Sequence, residues 1–180
     1  MTDSPDSAPR RPDLAFVHAH PAHWIAFGGG AGLAPFAPGT FGTLLGFPLD
    51  WAARVALPVG GRFALCLVLF LVGTWAAGAA GRALGAEDHG GIVCDEAVAF
   101  MLVLLLIPGG WLWAGVGFLA FRLFDIWKPG LVDAAQGLPG GWGVVLDDVL
   151  AGLLAGLLAW PLDRWLGAAA LQHPSLWTPH

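Results

Sequence analysis

The sequence predicts an all-α fold, a multihelical membrane bundle of short helices, on three observations. The 180 residues are 57% hydrophobic and 12% charged, where ordinary globular domains carry about 25% charged residues. Three long stretches carry no charge at all: residues 63–81, 97–121 and 149–162, of 19, 25 and 14 residues. The longest of them is broken near its middle by Pro108-Gly109-Gly110, and Pro with paired Gly is the strongest signal for ending a helix. A 180-residue chain is long enough for one domain of ordinary size, and that domain is expected over residues 23–166, with a flexible polar N-terminal tail at 1–22 and a C-terminal tail at 167–180.

The start, Met1 to Asp13, is polar and Pro-rich, with no apolar core of the kind a secretory signal peptide has. Arg10-Arg11 is a possible twin-arginine export signal, but the His and Pro residues that follow speak against it. His18, His20 and His23 can bind a transition metal or form a mobile or interfacial segment, and the second reading is preferred. Residues 27–43 are Gly-rich and open into a helix. Residues 43–57 form a first apolar segment with Asp50 and Arg54 four apart on one face, either paired with each other or facing a bundle interior. Residues 63–81 are long enough to span, since a bilayer takes roughly 17–25 apolar residues. The break at Pro108 predicts two helices, about 92–107 and 111–127, joined as a hairpin. A last span starts near Gly143, placing Asp147 and Asp148 in its first turns. The Trp residues, 10 in all, suit the interfacial belts of a membrane protein.

The hairpin decides where the charges meet. If 43–57 runs out and 63–81 runs back, the cluster at 87–96 returns to the side of the Gly-rich segment. A hairpin then returns 122–148 to that side too, whereas one continuous span would strand it opposite. Arg10, Arg11, Arg82, Arg122 and Lys128 would share that side, against Arg54, Arg62 and Arg164 on the other, which favours a cytoplasmic site.

Asp95, Glu96, Asp125, Asp147 and Asp148 are five carboxylates in a chain that otherwise avoids charge. Gathered together they cannot all ionise without a cation, so they suit a hard divalent ion held through oxygen, Mg2+ above all. The plainer alternative is that they mark helix N-termini. Arg122, Asp125 and Lys128, at i, i+3 and i+6, can put cation, anion and cation on one helical face, for a phosphate or for snorkelling to the headgroups. The Gly-rich segment can offer backbone N–H groups to an anion, though a loop or close helix packing explains its glycines as well. It lacks the Gly-Lys-Ser/Thr of a P-loop and the spacing of a dinucleotide fingerprint.

Other chemistries fail on residue type or spacing. A net charge of −5 with eight Lys and Arg excludes nucleic-acid binding. The two cysteines, Cys66 and Cys94, form no disulfide pattern. A cysteine phosphatase needs Arg six residues after its Cys, where Val72 and Phe100 stand instead. The acid pairs are adjacent, unlike the Asp-x-Asp of aspartyl-phosphate enzymes. The only serines, Ser4, Ser7 and Ser175, leave no Ser-His-Asp triad.

Three ordered blocks resemble the bacterial phosphatidylglycerophosphatase A family. Gly32-Leu-Ala-Pro-Phe-Ala-Pro-Gly-Thr-Phe-Gly-Thr43 is similar to G-x-x-P-x-x-P-G-T-x-G-S/T. Asp88-His-Gly-Gly-Ile-Val-Cys-Asp-Glu96 is similar to D-x-x-x-I-V-x-D-E. Phe121-Arg-Leu-Phe-Asp-Ile-Trp-Lys-Pro129 and Gly140-Gly-Trp-Gly-Val-Val-Leu-Asp-Asp-Val-Leu-Ala-Gly152 are similar to F-R-x-x-D-x-x-K-P and G-G-x-G-x-x-x-D-D-x-x-A-G. The resemblance covers residues 27 to about 160. It implies a Mg2+-dependent enzyme of the bacterial inner membrane that removes the terminal phosphate of phosphatidylglycerophosphate to give phosphatidylglycerol. On that basis Asp88, Asp95, Glu96, Asp125, Asp147 and Asp148 are the expected metal set. All but Asp88 are also expected to be catalytic, and Gly39, Thr40, Arg122 and Lys128 are expected at the phosphate.

Two departures stand out. Where family members often have Pro-Ile and then Asp-Arg after Lys-Pro, this chain has Gly130-Leu-Val-Asp-Ala-Ala-Gln-Gly-Leu138, with Asp133 as a possible substitute. The Gly usual three residues after Asp-Glu is Ala99. A phosphatase of another lipid phosphate, a transporter and an inactive homologue are the competing readings. The charges gather at the ends of the apolar segments, which favours an enzyme over an ion path.

Overall fold

The computed structural model describes residues 12–172, with side chains through Trp165. Arg10-Arg11 and the outer parts of both expected tails lie outside the described residues. The chain is all-α: α1 (Leu14–His18), α2 (Pro21–Ala26), a 3-10 turn (Gly28–Leu33), α3 (Pro38–Ala56), α4 (Val59–Leu84), α5 (Cys94–Leu106), α6 (Trp111–Trp127), α7 (Leu131–Gln136) and α8 (Gly141–Gln172).

The ends of these helices follow from local chemistry. Asp13 caps α1 by accepting from the Phe16 N–H, and Pro21 and Pro38 stand in the first turns of α2 and α3, where a missing N–H costs nothing. Gly85 ends α4 in the left-handed conformation, φ 71°, with its N–H on the Arg82 and Gly81 carbonyls. Pro108-Gly109-Gly110 turns the chain between α5 and α6, so the helical hairpin is real. Residues 14–22, expected in a flexible tail, instead form α1 and the start of α2. Asp13 and His20 cap those helices, and Val17, Ala22 and Ala26 are buried with Ala76, Ala77 and Ala80 of α4. At the other end α8 passes the expected boundary at 166 and runs to Gln172.

Helix α5 is the hub, packed by α3, α4, α6 and α8. Small residues let the backbones close on it. A side chain at Gly46 of α3 would strike the Phe100 ring and the Ala97 carbonyl, and one at Gly152 of α8 would lie 3.1 Å from the Ala99 carbonyl. Gly42 and Gly46, and Gly152 and Gly156, repeat the small-x-x-x-small spacing by which membrane helices associate without a hydrophobic drive. Ala99, fully buried, takes part in the α5–α8 contact.

The outer surface is apolar. α4 and residues 141–165 of α8 are long and apolar enough to cross a membrane, and Leu67, Leu71, Leu119, Leu157 and Trp160 are among many large hydrophobic side chains left exposed. Exposed Trp residues form two levels: Trp24, Trp75, Trp127 and Trp142 towards one end, Trp51, Trp111, Trp160 and Trp165 towards the other. From Trp111 to Trp127 along α6 and from Trp142 to Trp160 along α8 the levels are roughly 24–27 Å apart at 1.5 Å per residue, with Trp165 about 8 Å further out. That spacing is close to the hydrocarbon thickness of a bilayer, and indole rings prefer its two interfaces. An apolar exterior of this extent suits a membrane surface.

Candidate active site

The hairpin and the up–down course of α3 and α4 bring the N-termini of α3, α5 and α8 and the C-terminus of α6 to one end. Asp95 and Glu96 stand in the first turn of α5. Asp147 and Asp148 lie in the second turn of α8, and Arg122 and Asp125 in the last turns of α6. Oxygens of Asp95, Glu96 and Asp148 all lie within 4.8 Å of one another, and Asp95 and Asp148 are 6% and 4% exposed.

Each acid pair is braced the same way. The Glu96 N–H donates to Asp95 Oδ1 at 3.0 Å, and the Asp148 N–H donates to Asp147 Oδ1 at 2.9 Å. A carboxylate that accepts from the next backbone N–H has a fixed rotamer, so the two pairs face one another in a defined way. The bracing carboxylate differs, however. Asp95 itself joins the three-carboxylate cluster, whereas Asp147 points its other oxygen at Lys128 Nζ, 2.6 Å away.

The cations form a rim. Arg122 Nη1 lies 2.5 Å from Asp125 Oδ2 and 3.8 Å from Glu96 Oε1, and reaches Thr43 Oγ1 at 3.5 Å. Thr43 is fully buried and donates to the Gly39 carbonyl at 2.9 Å. Lys128 caps α6 in the left-handed conformation, φ 47°, which costs a non-Gly residue of order 1–3 kcal/mol and turns its chain towards Asp147. Burial works to pull its ammonium pKa down, but the hydrogen bond and charge of Asp147 prevail and hold it above the usual lysine range.

Glu96 sits in a cradle made by α3. A Cβ on Gly39 would overlap Glu96 Oε1, and one on Gly42 would come within 2.7 Å of Val93 and 3.1 Å of Glu96 Oε2. That Oε2 is buried and has no hydrogen-bond partner among the described residues. A buried carboxylate oxygen without a donor is costly. Together with two neighbouring carboxylates, it fits a bound cation: hard oxygen donors, closely spaced, with unspent negative charge.

The structure therefore sorts the ten expected residues. Asp95, Glu96 and Asp148 converge. Asp125 adjoins Glu96 and Asp148 but is ion-paired to Arg122. Asp147 is turned to Lys128. Asp88 is exposed and accepts from Gln136 Nε2 at 2.9 Å, so it stands outside the cluster. Gly39 lies against Glu96 and Arg122, and the half-buried Thr40 hydroxyl has no protein partner among the described residues. Asp133 is exposed on α7, away from these contacts. The Gly-rich segment serves close packing, as Gly32, Gly39 and Gly42 show. The three histidines belong to α1 and α2: His23 stacks on Phe16, with ring centroids 4.2 Å apart, and its Nδ1 lies 3.1 Å from the Phe16 carbonyl. Sequence reasoning passed over Thr43 and Gly42 as functional positions, although both fall within the first motif block.

An all-α chain with two helices apolar enough to cross a membrane, and a carboxylate cluster rimmed by arginine and lysine, suits an enzyme that handles phosphate at a lipid surface. A profile described as Phosphatidylglycerophosphatase A matches residues 24–162. Phosphatidylglycerophosphatase A of Escherichia coli (strain K12) is 33% identical over 163 residues, 87% of this chain and 94% of its own. The protein of that name from Haemophilus influenzae is 36% identical over 149 residues, 82% of this chain and 91% of its own. A Bacteroides thetaiotaomicron protein named a candidate phosphatidylinositol-3-phosphatase is 38% identical over 149 residues, 79% of this chain and 92% of its own. No solved structure matches significantly. The chain belongs to the phosphatidylglycerophosphatase A family, and it is a phosphatase of phospholipid biosynthesis.

Proposed function

We propose that this enzyme is a Mg2+-dependent phosphatase of the bacterial inner membrane. It hydrolyses the terminal phosphate monoester of phosphatidylglycerophosphate, with its site facing the cytoplasm. The observation that carries the reading is the convergence of Asp95, Glu96 and Asp148, with the unpartnered Glu96 Oε2, beside Arg122 and Lys128. The family relationship supports the substrate, and the five-to-three excess of Lys and Arg supports the orientation.

Asp95, Glu96 and Asp148 would hold the metal, which would offset the charge of the phosphate dianion and polarise its phosphorus. Arg122 presents its guanidinium to a phosphate oxygen, held in place by Asp125 and Thr43. Lys128 supplies a second positive charge once the phosphate competes with Asp147 for it. The N-terminus of α3, with Gly39 and the Thr40 hydroxyl, faces the same space and favours an anion. Water adds to phosphorus, the bond from phosphorus to the glycerol oxygen breaks, and a proton of the water passes to that oxygen. The products are phosphatidylglycerol and inorganic phosphate. The apolar flanks keep the diacylglycerol part in the bilayer, and this remote binding orients the headgroup.

Phosphate release by the detergent-purified protein from phosphatidylglycerophosphate, with Mg2+ and with chelator, tests this beside Asp95→Asn. Release that requires both Mg2+ and Asp95 is expected, with the variant at least about 100-fold slower. Release that persists in chelator, or in Asp95→Asn, sinks the metal assignment. A second reading, hydrolysis of another lipid phosphate, is favoured by the Bacteroides relative and by the altered stretch after Pro129. Phosphatidylinositol 3-phosphate in the same assay decides it by comparison of kcat/KM.

A further inference from the structure

The end of the bundle opposite the acidic site holds a second arrangement of charge. Asp50, 5% exposed, receives the Arg54 Nε on one oxygen and Arg62 Nη2, at 2.7 Å, on the other. Arg54 Nη2 also donates to the Leu104 carbonyl at 2.8 Å. Two guanidinium groups against one carboxylate leave one surplus positive charge. Arg62 is buried, but the Arg54 side chain is 43% exposed, and its Nη1 has no protein partner among the described residues. The group borders a groove of about 490 Å3 between α3 and the α5–α6 turn, walled by Phe47, Pro48, Trp51, Ile107, Trp111 and Ala114. Its charged lining consists of Asp50 and Arg54 alone. Trp51 and Trp111, 69% and 86% exposed, place the mouth of the groove at the interface level of the membrane.

We infer that this groove binds an anionic phospholipid of the leaflet opposite the acidic site. The lipid phosphate sits on Arg54, and the upper part of an acyl chain lies along Phe47, Ile107 and Ala114. Charge complementarity selects the occupant. A surplus guanidinium at the edge of a hydrocarbon phase is costly without an anion, and Arg54 Nη1 offers a phosphate oxygen a charged N–H donor. The apolar walls suit a chain-bearing phosphate better than a free one. The inference rests on membrane insertion and is independent of the substrate. Arg54 lies 15 residues along α3 from Gly39, roughly 22 Å at 1.5 Å per residue.

Native mass spectrometry of the full chain, titrated in detergent with dioleoyl phosphatidylserine (neither the proposed substrate nor its product), counts bound lipid. One lipid is expected to bind more tightly than phosphatidylcholine. Arg54→Gln should weaken that lipid by about tenfold, the loss of one charged hydrogen-bonded contact, while leaving the Asp50–Arg62 pair in place. Ala114→Trp, which fills the groove without touching a charge, should weaken it similarly. Lipid-phosphate hydrolysis by both variants should stay within about twofold of the parent, separating this site from the catalytic one. The inference is overturned by unchanged binding in the two variants or by equal binding of phosphatidylcholine. Displacement by an equal concentration of inorganic phosphate, or a doubled protein mass in place of lipid adducts, overturns it as well.

Discussion

Glu96 is enclosed by Gly39 and Gly42 of α3, by Asp95 on its own turn and by the Arg122 guanidinium. Its position therefore depends on what two glycines lack. In Gly42→Ala the new methyl would meet the Val93 carbonyl at 2.7 Å, so α3 and α5 must part. We expect activity to fall on the order of 100-fold, as a misplacement of about 1 Å at a reacting group does, with helix content by circular dichroism unchanged. Full activity in Gly42→Ala would refute the cradle. The acids and bases of the site were legible in the sequence because a chain with so few charges leaves each of them conspicuous. Their division of labour was not. Asp88 and Asp95 look alike in a motif, and only the tertiary fold turns one to Gln136 and the other to Glu96 and Asp148. Thr43 and Gly42 carry no charge to draw notice, and their part becomes visible only where α3 meets α5.

At the scale of elements, α5 is short, at 13 residues, and draws its stability from neighbours rather than from length. Gly46 is the closest approach of α3 at mid-helix, against Phe100 and Ala97. Gly46→Val should overpack that contact and lower stability by about 1–3 kcal/mol, measured by unfolding in mixed micelles. Because Gly46 lies a turn beyond the cradle, the folded fraction should keep more activity than Gly42→Ala. The reverse ranking would place the critical contact elsewhere on α3. The elements set by apolar runs and by Pro-Gly breaks were readable, and α6 spans the residues expected of it. The start of α3 at Pro38 was obscured by the glycines around it. α1 and α2 were hidden because five- and six-residue helices have too little length to show a period, and the histidines among them read as polar tail.

At the scale of the molecule, two Trp levels bound an apolar band, and the acidic cluster lies near one of them. Phospholipids brominated at shallow or deep acyl positions, in vesicles holding the protein, report depth through quenching of Trp fluorescence. The exposed Trp residues should be quenched more by shallow than by deep bromines. Equal or stronger quenching by the deep probe would contradict a transverse bundle. The all-α architecture and the gathering of charge at one end were both deducible from the sequence, since a hairpin is the arrangement that unites the clusters. The second charged group around Asp50 was half visible, as an Asp50–Arg54 pair. Arg62 completes it from the start of α4, 12 residues from Asp50 along the chain.

The helical hairpin also has a bearing on how the enzyme comes into being. α5 and α6, of 13 and 17 residues, are each short for the roughly 20 residues that a lone segment needs to cross, so they are best inserted as a unit, turn first, against an α4 already in place. Their insertion leaves Asp95 and Glu96 at the base of one arm and Arg122 and Asp125 at the base of the other, but Asp148 is still to be synthesised. A nascent chain that stops before α8 holds two of the three converging acids and both partners of the Arg122–Asp125 pair, yet no Asp147 for Lys128 to face. A chain released before α8 therefore lacks the third converging acid, and we expect it to release no phosphate from a lipid.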